Sequence, residues 1–201
     1  MVSLSPSHWR PATMTIQPPM RTLKLTLESR SLVPSVHCWR VNDGYVRTNT
    51  WSPDGEVVTI GLAGPGDLLP PPRPEWQPTE RACLTRTLLM EVTPSQEELT
   101  ASLHSQIAQM TTLLRIGRLR PVDTRLLHLL RWIGERFGIV NSRGTLLSLQ
   151  EMNLTHRVLA EICGTTRVSI TKALSHYKTA GMIGTQGEVD LLLPHPHRTL
   201  Y

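Results

Sequence analysis

The stretch Leu154–Leu174, LTHRVLAEICGTTRVSITKAL, decides how the whole chain is read. It divides into a short helix, a turn carrying a glycine and a second helix, with small and apolar residues spaced as two crossed helices require. Ala160 lets the second helix come close, and Gly164 is free to take the positive-φ turn conformation. Ile170 fills the angle between the helices, and Leu159, Cys163, Ala173 and Leu174 complete one apolar face at i, i+3, i+4 spacing. Counted from His156, Ala, Gly and Ile fall at positions five, nine and fifteen, the pattern of a helix-turn-helix that reads DNA. The plain alternative is an αα-hairpin buried in an ordinary helical core.

The residues left outside point towards DNA. With Ile170, Ala173, Leu174 and Tyr177 facing inward, Arg167, Val168, Thr171 and Lys172 lie on the opposite side. Thr165 or Thr166 caps the helix start, and Ser169 completes its first turn. The free N–H groups there suit a phosphate. Arg167 is placed to meet a guanine O6 and N7, a contact worth about 1–3 kcal/mol of discrimination. Val168 cannot accept from cytosine N4 but can pack on a thymine methyl. Lys172 reaches a base edge or a phosphate, and Thr155, His156 and Arg157 open the first helix against the DNA backbone, which positions without specifying.

Through L-T-H, A-E, G-x-T-R-V and the following T-K, the stretch resembles the C-terminal domain of the CRP/FNR superfamily of transcription regulators, and within it the NtcA-like cyanobacterial branch. Many members carry Arg-Glu at the start of the recognition helix; here the pair is Arg167-Val168, as in that branch. The resemblance implies a GTA…TAC-like palindrome, double-stranded DNA as partner, a homodimer, and activation of transcription with RNA polymerase as a further candidate partner. Lys172 stands where the family usually has arginine.

Composition agrees. The 201 residues, 39% hydrophobic and 18% charged, suit one medium domain or two small ones. Of the net charge of +5, residues 112–180 hold eleven Arg/Lys against four Asp/Glu, so the basic charge gathers around the helix-turn-helix. Cys38, Cys83 and Cys163 lie far apart and give neither a zinc ribbon nor a disulfide framework. No apolar run approaches the roughly 20 residues of a membrane span, and the N-terminus lacks the apolar core of a signal peptide, so a cytoplasmic location is expected.

Along the chain, residues 1–19 read as a flexible leader, with Met1, Met14 and Met20 all candidate starts. Residues 20–93 read as a turn-rich β-roll. Strands are expected at Leu23–Leu27, Val36–Val41, Gly44–Thr50, Glu56–Leu62 and Cys83–Val92, with turns at Pro53-Asp54-Gly55 and Gly64-Pro65-Gly66-Asp67. Twelve of the sixteen prolines fall in the first 80 residues, which argues against helices there. Residues 94–118 form a long helix starting at Pro94, with Gln96, Glu97 and Glu98 in the first turn. Leu103, Ile107, Met110 and Leu114 recur at spacings of four, three and four, with Leu99 one turn earlier, as a coiled-coil dimer seam. At ~1.5 Å per residue the rod is ~37 Å long. Val122–Phe137 is an amphipathic helix, Thr145–Gln150 a strand, and Gly181–Gly184 with Val189–Leu193 a two-stranded wing. Residues 119–193 then make a winged helix, and 194–201 a tail.

The resulting fold class is α+β: a short N-terminal β-roll, a long dimerisation helix and a C-terminal winged helix-turn-helix. Asp54–Leu68 resembles the core of the family's cyclic-nucleotide-binding roll. The stretch that would cradle the cyclic phosphate is instead Leu68-Leu69-Pro70-Pro71-Pro72-Arg73-Pro74, and prolines remove N–H donors. Arg81 is a candidate remnant of the phosphate arginine, but the roll is short for the family and its pocket is expected to be missing. The positions that hold 2-oxoglutarate in NtcA-like proteins correspond to Gln106 and Thr111, neither of them charged, so neither effector is carried over and no cofactor is expected. The eight histidines form no HExxH, and their one H-x-H is the tail pair His195/His197; G-x-S-x-G and Walker A motifs are absent, which excludes the common enzyme classes. The competing function is a protein-interaction module that kept the helix-turn-helix but lost specific DNA binding.

Overall fold

The computed structural model describes residues 22–72, 78–186 and 190–194. The expected leader, the expected tail from residue 195 on, residues 73–77 of the proline stretch and residues 187–189 lie outside them.

Seven short strands come first. β1 (Lys24–Leu27), β2 (Trp39–Asp43), β5 (Leu68–Leu69) and β7 (Thr87–Glu91) form one antiparallel sheet, in the order β1-β7-β2-β5. β3 (Val46–Trp51), β4 (Val57–Ala63) and β6 (Glu80–Cys83) form a second, in the order β4-β3-β6. Alternation sets the inward residues, as period-two side-chain direction demands. Trp39, Val41, Val46, Ala63, Leu69, Cys83 and Leu89 meet between the sheets. Asp67 closes the Gly64–Asp67 turn by accepting from the Gly64 N–H at 2.9 Å, with Gly66 at φ 93°.

The single strand expected over Cys83–Val92 is two strands in different sheets. β6 pairs with β3, β7 pairs with β1 and β2, and Leu84 sits at the corner, its N–H bonded to the Tyr45 carbonyl at 2.8 Å. Neither glycine nor proline marks the Leu84–Arg86 corner, which hides it from a pattern reading.

α1 (Gln96–Gly117) starts later than Pro94 implied. Ser95 is the N-cap of a capping box: its hydroxyl accepts from the Glu98 N–H at 3.1 Å, and the Glu98 carboxylate accepts from the Ser95 N–H at 2.9 Å. The helix has two working faces. Gln109, Leu113 and Ile116 are buried against its own roll and the helix that follows. Ile107, Met110 and Leu114 stand 60%, 46% and 64% exposed while Leu99 and Leu103 are half-buried, so the C-terminal part of the apolar row is uncovered within one chain.

After Arg120-Pro121 come α2 (Val122–Phe137), β8 (Ile139–Asn141), β9 (Gly144–Ser148), α3 (His156–Cys163), α4 (Arg167–Thr179), β10 (Gly184–Gln186) and β11 (Asp190–Pro194). The last four strands make a sheet in the order β10-β11-β9-β8. The first wing strand therefore lies three residues later than expected, because Gly181 takes φ 68° and turns the chain out of α4 before pairing begins.

Besides the cluster between its own sheets, the roll contributes to the core of the helices. Leu62 and Leu84 of the roll belong to the same buried cluster as Leu113, Ile116, Leu126, Leu130, Leu159 and Ile170. Tyr45 meets Phe137 edge to face at 5.4 Å. Two ion pairs cross the junction in opposite senses. Arg47 of β3 donates to Glu161 of α3 at 2.7 Å, and Arg136 of α2 donates to Asp67 at 2.8 Å. The Asn153 side chain also donates to the Leu84 carbonyl at 2.7 Å.

Candidate DNA-reading face

The geometry of α3 and α4 follows from their caps. Thr155 begins α3, its hydroxyl accepting from the Val158 N–H at 3.2 Å. Gly164 ends it in the left-handed conformation at φ 59°, and the Thr165 N–H returns to the Ala160 carbonyl at 2.9 Å. Thr166, of the two threonines, caps α4 by accepting from the Ser169 N–H at 3.1 Å. Ile170 is fully buried where the helices cross, which contributes about 1.5–3 kcal/mol of transfer free energy. Leu159, Ala160, Cys163, Ala173, Leu174 and Tyr177 close around it. Burial pushes the Cys163 thiol up to about 12, so it acts as a small apolar filler and not as a nucleophile.

One support had no signal in the local motif. Arg125 of α2 is buried, and its guanidinium donates to the Cys163 carbonyl, to that of Gly164 at 3.4 Å and to that of Leu119 at 3.4 Å. It thus satisfies the carbonyls that the end of α3 leaves free. Arg125 standing directly before Leu126 and Leu127 on the apolar side of an amphipathic helix was the available clue.

The other face of α4 is open. Arg167, Val168, Thr171 and Lys172 are exposed, with Val168 at 62%, and Thr166 beside them is exposed too. Thr165 and Ser169 are half-buried, and Ser169 is tied to Thr166 through both its N–H and its hydroxyl, at 3.1 and 3.0 Å. From α3, Thr155 and Arg157 are exposed and His156 is half-buried. Arg157 is turned along its own helix to Glu161, at 3.2 Å. His156 reaches across to α4, its Nδ1 lying 2.9 Å from the Thr171 hydroxyl.

A cleft of about 330 Å³ lies between the roll and α1, so the expectation that the pocket is missing does not hold. Three of its polar side chains are already engaged. Arg40 pairs with Glu98 at 2.8 Å, Arg81 donates to the Pro70 carbonyl, and Gln106 donates to Ser102 at 3.1 Å. Thr111 bonds back to the Ile107 carbonyl at 2.9 Å. In the wall of the cleft the side chain of Gln109 accepts from the Leu62 N–H at 3.0 Å, tying α1 to β4 beside the apolar contact of Leu62 with Leu113 and Ile116.

Residues 124–198 match the Crp-like helix-turn-helix domain. Regulatory protein CysR of Synechococcus elongatus is 37% identical over 180 residues, spanning 89% of this chain and 86% of that protein. The chain is a member of the CRP/FNR superfamily. Solved structures share its fold. FixK2 from Bradyrhizobium japonicum superposes with a TM-score of 0.71 at 16% identity, covering 88% of this chain and 94% of that one. A CRP-family transcriptional regulator from Thermus thermophilus gives 0.65 at 16% identity, over 85% and 92%. CRP/FNR proteins are transcription regulators that bind DNA, typically as dimers, and are not enzymes. No helix among the described residues of this CRP/FNR regulator is long and apolar enough to cross a membrane.

Proposed function

We propose that this CRP/FNR regulator acts in the cytoplasm as a homodimeric activator that recognises a GTA…TAC-like palindrome. The observation that carries the reading is the two-sidedness of α4: Ile170, Ala173, Leu174 and Tyr177 are buried, while Arg167, Val168 and Lys172 stand exposed beside a threonine-capped helix start. In this reading Arg167 takes the guanine and Val168 packs on the neighbouring thymine methyl. Thr155, His156, Arg157, Thr165, Thr166 and Ser169 set the helix against phosphates, with Thr171 and Lys172 following the groove.

Leu99, Leu103, Ile107, Met110 and Leu114 form the dimer seam. Support comes from the exposure of its last three members, while α1's other face is already buried on its own roll. Two copies are needed for half-sites ~34 Å apart. The functional division is then 20–93 for the roll, 94–118 for the dimer helix and 119–193 for the reader. The engaged cleft side chains support a regulator that uses neither cyclic nucleotide nor 2-oxoglutarate.

Arg167→Ala tests this. Selection from a randomised duplex pool should lose its preference at the guanine while light scattering still shows a dimer. An unchanged preference refutes the contact.

A further inference from the structure

We propose that His156 is a proton-dependent phosphate anchor: its ring engages the DNA backbone only as the imidazolium, so each half-site bound draws one proton from solution. This rests on the DNA-reading role of the helix-turn-helix proposed above, and goes beyond it by assigning the state in which the contact forms.

The hydroxyl of Thr171 sets the tautomer. Its one proton is committed to the Arg167 carbonyl, four residues back on α4, at 3.0 Å. A carbonyl only accepts, so towards His156 the hydroxyl oxygen must itself accept. His156 Nδ1 therefore carries the proton in the 2.9 Å contact. The neutral ring in this arrangement has its lone pair on Nε2. Among the described residues that atom has no hydrogen-bond partner, and it is not a buried orphan, since the only buried unpartnered side-chain nitrogens or oxygens there are on Arg47 and Arg136. Nε2 is open to solvent and presents a lone pair, which repels a phosphate oxygen. Adding one proton to Nε2 turns it into a charged donor, with no change in the bond to Thr171. The switch requires no rotation of the ring.

The surroundings set the free protein in the repelling state. Burial first, then the positive charges of Arg167 and Lys178 on α4, hold the His156 imidazole below its ordinary value. The segment leading into α3 contributes Gln150 and Asn153 to the same cleft, both neutral. On its own helix Arg157 and Glu161 are paired with each other, and Glu161 also with Arg47. Among the described residues no carboxylate is hydrogen-bonded to the ring. A phosphate arriving between Arg167 and Lys178 supplies the missing negative charge and raises the imidazole above its free value. Protons bound by the complex then exceed those bound by its parts, so affinity rises as pH falls between the two values.

The test is the pH profile of binding to a duplex carrying the GTA…TAC palindrome, read by fluorescence anisotropy at fixed ionic strength. From about pH 8 to about pH 5.5, wild-type Kd should fall, approaching roughly tenfold per pH unit for each histidine engaged. His156→Gln should bind with unchanged base preference and lose that slope. His156→Arg, permanently charged, should bind tightly at every pH and also lose it; this variant keeps the test decisive if the glutamine protein folds poorly. In the folded wild-type protein, the His156 ring resonances should titrate at a higher pH with the duplex bound than without it. A flat wild-type profile, or a slope that survives both substitutions, overturns the proposal while leaving operator recognition standing. Absence of operator preference at every pH overturns the DNA-reading role itself, and the anchor with it.

Discussion

Glu161→Ala and Arg47→Met remove the same ion pair, yet the structure demands that they differ. Arg47 is the buried partner, its side chain 6% exposed against 38% for Glu161. Its guanidinium has two supports, the Glu161 carboxylate at 2.7 Å and the Thr59 hydroxyl at 2.7 Å, and its remaining Nη2 is buried without a partner. Removing the carboxylate strands a charge inside the protein. For a fully buried pair that costs about 3–5 kcal/mol; water entering where Glu161 stood brings the expected loss to about 2–3 kcal/mol. Arg47→Met replaces the cation with an apolar chain of similar length and removes the unpartnered nitrogen too. The carboxylate left behind is partly in water and keeps Arg157 at 3.2 Å. That variant should stay within about 1 kcal/mol of wild type. The double variant should track Arg47→Met, not the sum of the two. Urea unfolding monitored by tryptophan fluorescence gives all four values. If Arg47→Met proves as damaging as Glu161→Ala, the cost lies in lost attraction and not in the stranded charge, and the reasoning is refuted.

Burial raises the Glu161 carboxyl, but hydrogen bonds and charge from Arg47 and Arg157 outweigh it and hold the group below its ordinary 4.5. Its contribution to stability is therefore present above that value and lost as pH falls through the lowered one, and acid titration of Arg47→Met should show this loss reduced. Val168→Glu should move base preference towards the operators of the Arg-Glu subgroup in a selection experiment; an unmoved consensus would show that the position is not read. Serine at Ile107 and Met110 together should give a monomer by light scattering, with operator affinity reduced roughly tenfold or more because one reader cannot span two half-sites and the gain from effective concentration is lost. Gly164→Ala meets only the Arg125 Nη1 at 3.7 Å, so its cost should be backbone strain alone, about 1 kcal/mol in thermal or urea unfolding.

The sequence made the helix-turn-helix legible because its constraints are local. Ala160, Gly164 and Ile170 each answer a steric demand set within twenty residues, and all three sit where that demand put them. The exposed apolar row Ile107, Met110 and Leu114 of α1 was legible by periodicity, but the helix's second face was not. Gln109 is polar and breaks an apolar count, yet it is buried because β4 offers a free N–H at Leu62. The corner at Leu84 and the two-residue β5 were hidden for a related reason. Short antiparallel pairings are decided by which strand lies alongside, and period-two alternation says nothing about that. The cleft between the roll and α1 was hidden because its walls come from β4, β5 and α1 together, and a donor count along one loop carries no information about that arrangement. Arg47 and Asp67 could be singled out as charged residues in a β segment, but their partners lie 114 and 69 residues away.

The crossed pairing of Arg47 with Glu161 and of Arg136 with Asp67 bears on how this reader could be transplanted. A graft of α2 to β11 onto a foreign roll would carry one cation and one anion across the cut and leave both counter-charges behind. The recipient would then have to supply a buried arginine and a turn aspartate at matching heights. Swapping operator specificity by exchanging α4 alone leaves both pairs untouched, and is the less disruptive cut.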